Sequence, residues 1–113
     1  MTDSMTTNPT DTTGWVFGDA NEMEWQTLTD KISMKMLGVA DGVGIAIFKF
    51  ADGYEGGTHH HELAEFGYVL EGSVIANGTT LGPGQAYAAQ AGTDHHEGPC
   101  EGATILSVFK LPG

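Results

Sequence analysis

The sequence predicts an all-β fold, a single sandwich or barrel domain, and three observations carry that expectation. Short segments alternate apolar and polar side chains with period two, the signature of strands buried on one face. Seventeen glycines are scattered through 113 residues with no G-X-Y period, as expected where many tight turns join short strands. Only residues 21–28 can pass as a helix, and Thr27 and Thr29 weaken that pattern.

The elements follow in order. Residues 1–14, MTDSMTTNPTDTTG, carry almost no apolar area beyond two methionines and are expected to form a mobile tail, or an arm ordered only against a second subunit. The domain proper is expected over 15–113. Residues 31–37 place Ile32, Met34 and Met36 on one face and Lys31, Ser33 and Lys35 on the other. Residues 43–50, VGIAIFKF, have β-branched and aromatic side chains on both faces, which predicts a strand covered on both sides. Asp41-Gly42 and Asp52-Gly53 bound these strands as turn signals. Residues 65–71 read as a strand closed by Gly72, and Asn77-Gly78 joins residues 73–76 to 79–81 as a hairpin. After the Gly82-Pro83-Gly84 turn, residues 85–90 and 103–111 bring the total to roughly eight strands at the spacing of a sandwich or barrel.

Composition bounds the partners. Fifteen Asp and Glu against four Lys and Arg give a formal charge of -11, a field that repels polyanions, so no nucleic acid and no acidic membrane surface is expected. Cys100 is the single cysteine, and no internal disulfide can form. The first fourteen residues lack the basic and apolar regions of a signal peptide, and no window approaches the roughly 18 apolar residues of a membrane span. A soluble, cytoplasmic protein is expected.

The chemistry concentrates in Gly53-Tyr-Glu-Gly-Gly-Thr-His59-His60-His61-Glu62-Leu-Ala-Glu65. Residues two apart on a strand share a face at about 6.5 Å, so His59 and His61 aim at one point while His60 faces away. Glu65 reaches the same point if residues 62–64 form a loop, and His95 is a candidate third imidazole. Three neutral histidines and a carboxylate suit a divalent first-row ion and leave positions on it open.

These residues resemble the cupin family. Its first motif, G-x5-H-x-H-x3-E-x6-G, is met by Gly53, His59, His61, Glu65 and Gly72 without a gap. Its second, G-x5-P-x-G-x2-H-x3-N, is met by Gly84, Gly92 and His95 and departs at Gln90 and Pro99. The resemblance implies a double-stranded β-helix, a small jelly-roll barrel, with His59, His61, Glu65 and His95 as metal ligands. Glu65 has a second role open to it, orienting a histidine from behind. His60 and His96 are expected on the opposite face, Asp94 as a turn carboxylate rather than the support of a ligand imidazole, and Cys100 as an inert thiol. Met34, Met36, Phe48, Tyr68, Tyr87 and Phe109 are expected as core or as pocket lining, and Trp15 and Trp25 as caps on the barrel or dimer contacts.

The string from Gly67 to Ser73, followed by Ala91-Gly92-Thr93-Asp94-His95, is similar to small single-domain cupins. Those include diketone- and hydroxyacetophenone-cleaving dioxygenases and the cupin domain of a zinc-binding anti-sigma factor. The leading implication is an Fe2+ dioxygenase that cleaves a chelating enol or diketone-like substrate, with Glu65 as the catalytic carboxylate. One alternative is a Mn2+, Ni2+ or Zn2+ isomerase or lyase acting on a hydroxy-carbonyl or sugar-like compound. The other is a non-enzymatic sensor or binding module. The resemblance also implies a homodimer, formed through an outer sheet face or an exchanged N-terminal strand.

Overall fold

The computed structural model describes residues 10–112. Residues 1–9 of the expected tail lie outside the described residues, whereas 10–14 run as exposed turns and irregular backbone in which Asp11 Oδ1 accepts the Thr13 N–H at 2.9 Å. Among the described residues one 3-10 turn, Ala20–Glu22, is capped by Asp19, whose carboxylate accepts the Asn21 N–H. Nine strands follow among the described residues: β1 (Gln26–Thr29), β2 (Ile32–Ala40), β3 (Val43–Phe50), β4 (Gly57–His61), β5 (Glu65–Ala76), β6 (Thr79–Leu81), β7 (Ala86–Ala89), β8 (Thr93–Glu97) and β9 (Glu101–Lys110). The possible helix over 21–28 is replaced by the 3-10 turn and β1, because Gln26 and Thr27 pair with Met34 and Ser33 of β2.

All pairings are antiparallel and follow the order β1-β2-β3-β9-β5-β8-β4, with β6 and β7 attached to β5. The 12-residue β5 belongs to two walls. Its first half lies between β9 and β7, with Glu65 opposite both Phe109 and Ala89. Its second half pairs with β6 through Val74 and Leu81 and meets β8 where Ala76 faces Glu97. The corner falls at Gly72, where φ is +73° and a Cβ would run into the backbone carbonyls of Glu101 and Gly102, so only glycine lets the strands cross there. This corner folds the sheet into the two facing walls of a jelly-roll barrel.

The expectation that both faces of residues 43–50 are covered is corrected. Pairing with β2 and β9 turns Gly44, Ala46, Phe48 and Phe50 to one side, where Ala46 is buried. Val43 and Ile45 emerge on the other, 37% and 38% exposed. The outer face of β3, β9 and β5 has no second layer over it among the described residues, so its apolar side chains meet solvent. The buried cluster is Val69, Leu81, Cys100, Ala103 and Ile105, and Phe50, Tyr54, Val74 and Tyr87 pack against it. Two of these, Tyr54 and Tyr87, also face the site described below.

Trp25 does not cap the barrel. It lies against the outer face of β2 and β3, with Lys35 Nζ 4.6 Å and Lys49 Nζ 4.8 Å from its ring, and Lys35 also donates to the Ala20 carbonyl at 2.7 Å. Trp15 stacks on Phe17, and both are strongly exposed.

Candidate metal centre

The centre is built on the β4–β8 ladder, in which His59 pairs with His95, Thr58 with His96 and His60 with Asp94. Alternation along the two strands sends His59, His61, His95 and Glu97 inward and Thr58, His60, Asp94 and His96 outward. On the outer face His60 Nδ1 meets Asp94 Oδ1 at 2.8 Å and Thr58 Oγ1 meets His96 Nδ1 at 2.7 Å. His60 and His96 therefore point away from the centre and pin the ladder from outside. Asp94 belongs to strand β8 rather than a turn, and its carboxylate holds His60, not an inward imidazole.

Inside, ligand nitrogens of His59, His61 and His95 all lie within 4.8 Å of one another. The ring centroids are 4.8 Å apart for His59 and His61, and 5.1 Å for each of them to His95. His61 Nε2 and His95 Nδ1 are 2.9 Å apart. His95 is buried, and burial holds its pKa below the ordinary histidine value, with His61 and His59 acting in the same direction against the opposing pull of Glu97 and Glu65. A neutral imidazole is the form that offers a lone pair to a metal. Three convergent nitrogens of this kind are a donor set that a divalent transition ion fits.

Glu65 opens β5 after the loop at 62–64 and lies beside the histidines. Its Oε1 is 3.4 Å from His61 Nδ1, the ring nitrogen opposite the one that meets His95, and its Oε2 accepts the Tyr87 hydroxyl. A carboxylate on the far nitrogen of a ligand imidazole fixes its tautomer and ring orientation. Burial, and then the charge of Glu65, push the Tyr87 hydroxyl well above its ordinary pKa, so it stays a proton donor. Tyr87 lies across Gly67, its partner on β5, and a Cβ there would overlap the ring.

Sequence reasoning did not single out Glu97 or Tyr54. Glu97 stands two residues beyond His95 on β8, hence on the same face, and its Oε1 is 3.3 Å from His59 Nε2 while accepting the Tyr54 hydroxyl at 3.2 Å. The Tyr54 hydroxyl is pushed up to about 12 by burial and by Glu97. The signal for Glu97 was present, since the two-residue step that links His59 to His61 also links His95 to Glu97. The centre is thus flanked by two tyrosine–glutamate–histidine groupings, Tyr87–Glu65–His61 and Tyr54–Glu97–His59, the first meeting its histidine at Nδ1 and the second at Nε2.

These side chains border a cavity of about 780 Å³ whose walls include Leu28, Phe48, Phe50, Val74, Ile105 and Phe109. Phe48, Tyr87 and Phe109 line it as the sequence suggested, whereas Met34, Met36 and Tyr68 do not, and Tyr68 lies exposed on the outer face. Cys100 is buried and donates its Sγ–H to the Ala51 carbonyl at 3.3 Å. No helix among the described residues is long and apolar enough to cross a membrane.

Among solved structures, KdgF from Halomonas sp. is 27% identical with a TM-score of 0.75, covering 86% of this chain and 95% of its own. An RmlC-like cupin from Shewanella frigidimarina is 23% identical with a TM-score of 0.73, over 85% and 90% of the two chains. The Rhodobacter sphaeroides complex of SigE with the anti-sigma ChrR matches at 18% identity and a TM-score of 0.67, over 81% of this chain and 50% of the matched one. No curated protein matches the sequence. The sequence pattern described as the ChrR cupin-like domain matches residues 13–112, and with that span, the two-walled barrel and the inward histidines, the chain belongs to the ChrR cupin-like family.

Proposed function

We propose that this protein is a metal-dependent enzyme acting on a small molecule, a dioxygenase that cleaves a chelating enol or diketone-like compound and uses Fe2+. The observation that carries the reading is that the three-histidine cluster borders a largely apolar cavity of about 780 Å³, ample for a small organic substrate. An ion held by His59, His61 and His95 would supply Lewis acidity toward the substrate oxygens and the redox chemistry that dioxygen requires. The protein's own groups do the rest. His59, His61 and His95 offer neutral nitrogens, and Phe48, Phe50 and Phe109 exclude water and seat the apolar part of the substrate. Glu65, held by the Tyr87 hydroxyl, receives the enol proton at its carboxylate and keeps it beside the centre.

The test is oxygen uptake by Fe2+-loaded protein with a panel of β-diketones. Uptake above the metal-free baseline, abolished in His59→Ala and His61→Ala together with most of the bound metal, supports the reading. Retention of full metal stoichiometry by both variants places the ion elsewhere, and absence of uptake by fully loaded protein across the panel overturns the dioxygenase assignment. A second reading, a metal- or ligand-binding sensor module, is favoured by the family match and by the likeness to a chain in the SigE–ChrR complex. It predicts a bound ion with no turnover.

A homodimer completes the proposal. The outer sheet face exposes Phe66, Tyr68 and Leu70 of β5 and, across β9, Val43 and Ile45 of β3, and its groove of about 390 Å³ is lined by Phe66, Tyr68, Leu106 and Val108. Contiguous apolar surface of this kind marks interaction sites.

A further inference from the structure

We propose that Glu97 is a second acidic residue of the metal centre, seated by Tyr54 and Gly56, and that with Glu65 it brings a bound divalent ion and its protein surroundings to zero net charge, so that the centre favours neutral ligands over small anions. The inference rests on the metal-binding part of the reading above and is independent of the dioxygenase assignment.

Three observations carry it. First, Glu97 Oε1 is 3.3 Å from His59 Nε2, so a second carboxylate stands against a histidine of the centre, at Nε2 where Glu65 meets Nδ1 of His61. Second, its seat is built. The Tyr54 hydroxyl donates to the same oxygen at 3.2 Å, and the Gly56 N–H donates to the Glu97 backbone carbonyl at 3.2 Å. A Cβ on Gly56 would lie 2.8 Å from the Tyr54 hydroxyl oxygen and 2.9 Å from Glu97 Cβ, so the missing side chain is the space in which the pair sits. Third, nothing cancels the two carboxylates. The chain has no arginine, and of its four lysines only Lys110 borders the cavity. Neither Glu65 nor Glu97 forms an ion pair with a lysine among the described residues. Three neutral imidazoles add no charge, so two carboxylates balance one divalent ion, and an anionic ligand would create a net negative centre between apolar walls. Glu97 is a positioning residue for His59 and sets the charge of the site.

The probes are Co2+ and azide, used on the full chain at one pH above neutrality. Co2+ affinity, measured by chelator competition, is expected to fall roughly 10–100-fold in Glu97→Gln, the scale usual for losing a carboxylate that contacts a metal-binding histidine. Gly56→Ala, which displaces Glu97 without removing it, is expected to weaken Co2+ in the same direction, and Tyr54→Phe to a smaller degree. Azide, titrated against the Co2+ absorption bands of saturated protein, is expected to bind Glu97→Gln more tightly than the parent, an effect that a generally loosened fold does not produce. Unchanged Co2+ affinity in both Glu97→Gln and Gly56→Ala overturns the proposal, as does unchanged azide affinity in Co2+-saturated Glu97→Gln. His61→Ala separates the two levels: if it binds Co2+ like the parent, the histidine site itself fails, whatever Glu97 does.

Discussion

His95 links stability to the readiness of the site for metal. Its pKa is depressed by burial, so below the ordinary value of about 6.5 the unfolded chain binds more protons at this position than the folded one. The sign follows: unfolding free energy rises with pH in that window. The stability is fully present above about 6.5, is lost as pH falls through the window, and the loss is complete below the depressed folded value. Thermal unfolding of metal-free protein between pH 7.5 and 5 is expected to show a falling midpoint, and His95→Asn to show a shallower fall. An identical slope in the variant would remove His95 as its origin. At this scale much of the centre was legible, because His59, His61, Glu65 and His95 obey strand alternation and known spacings. Tyr54 and Tyr87 were not legible as supports. Their roles depend on which strands pair and on Gly56 and Gly67 leaving room, and neither is encoded in a local pattern.

The ladder of β4 and β8 owes its register to more than backbone bonds. Asn77, with φ of +48°, turns the chain between β5 and β6 while its Oδ1 accepts the His96 N–H at 2.6 Å and its Nδ2 donates to the Asp94 carbonyl at 3.1 Å. One residue thus sets a hairpin and anchors the strand that carries His95. Asn77→Ala is expected to cost about 1–3 kcal/mol, through the lost hydrogen bonds and the strained φ of a residue less tolerant of it. Chemical denaturation measures this, and a change below about 0.5 kcal/mol would be that of an ordinary surface site. The Asn77-Gly78 turn was plain in the sequence, whereas its second task across the sheet was not. β1 escaped for the opposite reason. Its four exposed residues carry no apolar alternation, and it exists because β2 offers an edge.

The whole molecule sets a formal charge of -11 against an apolar outer sheet face. Burying Phe66, Tyr68 and Leu70 against a second copy is favourable, while bringing two such anions together is not, so the dimer is expected to tighten with salt as screening removes the repulsion. Sedimentation at micromolar concentration across a salt series measures this, and Phe66→Asp is expected to leave a monomer. A monomer at every salt concentration in the parent protein would leave the face without a partner copy. All-β architecture was readable from alternation and turn residues, yet which face of β3 looks outward was not, since VGIAIFKF is apolar on both sides until β2 and β9 choose one.

The position of β4 has a cellular consequence. It ends the sheet order, with β8 as its single neighbour among the described residues, and supplies two of the three inward histidines. An ion gripped by His59, His61 and His95 would rivet this outermost strand to the barrel. In a metal-starved cell the strand would keep its ladder and the outer His60–Asp94 and Thr58–His96 contacts but would fray more readily, baring backbone on itself and on β8 that invites pairing with other chains. Scarcity of the ion would then shorten the protein's lifetime as well as silence it, and supply of the metal would set abundance.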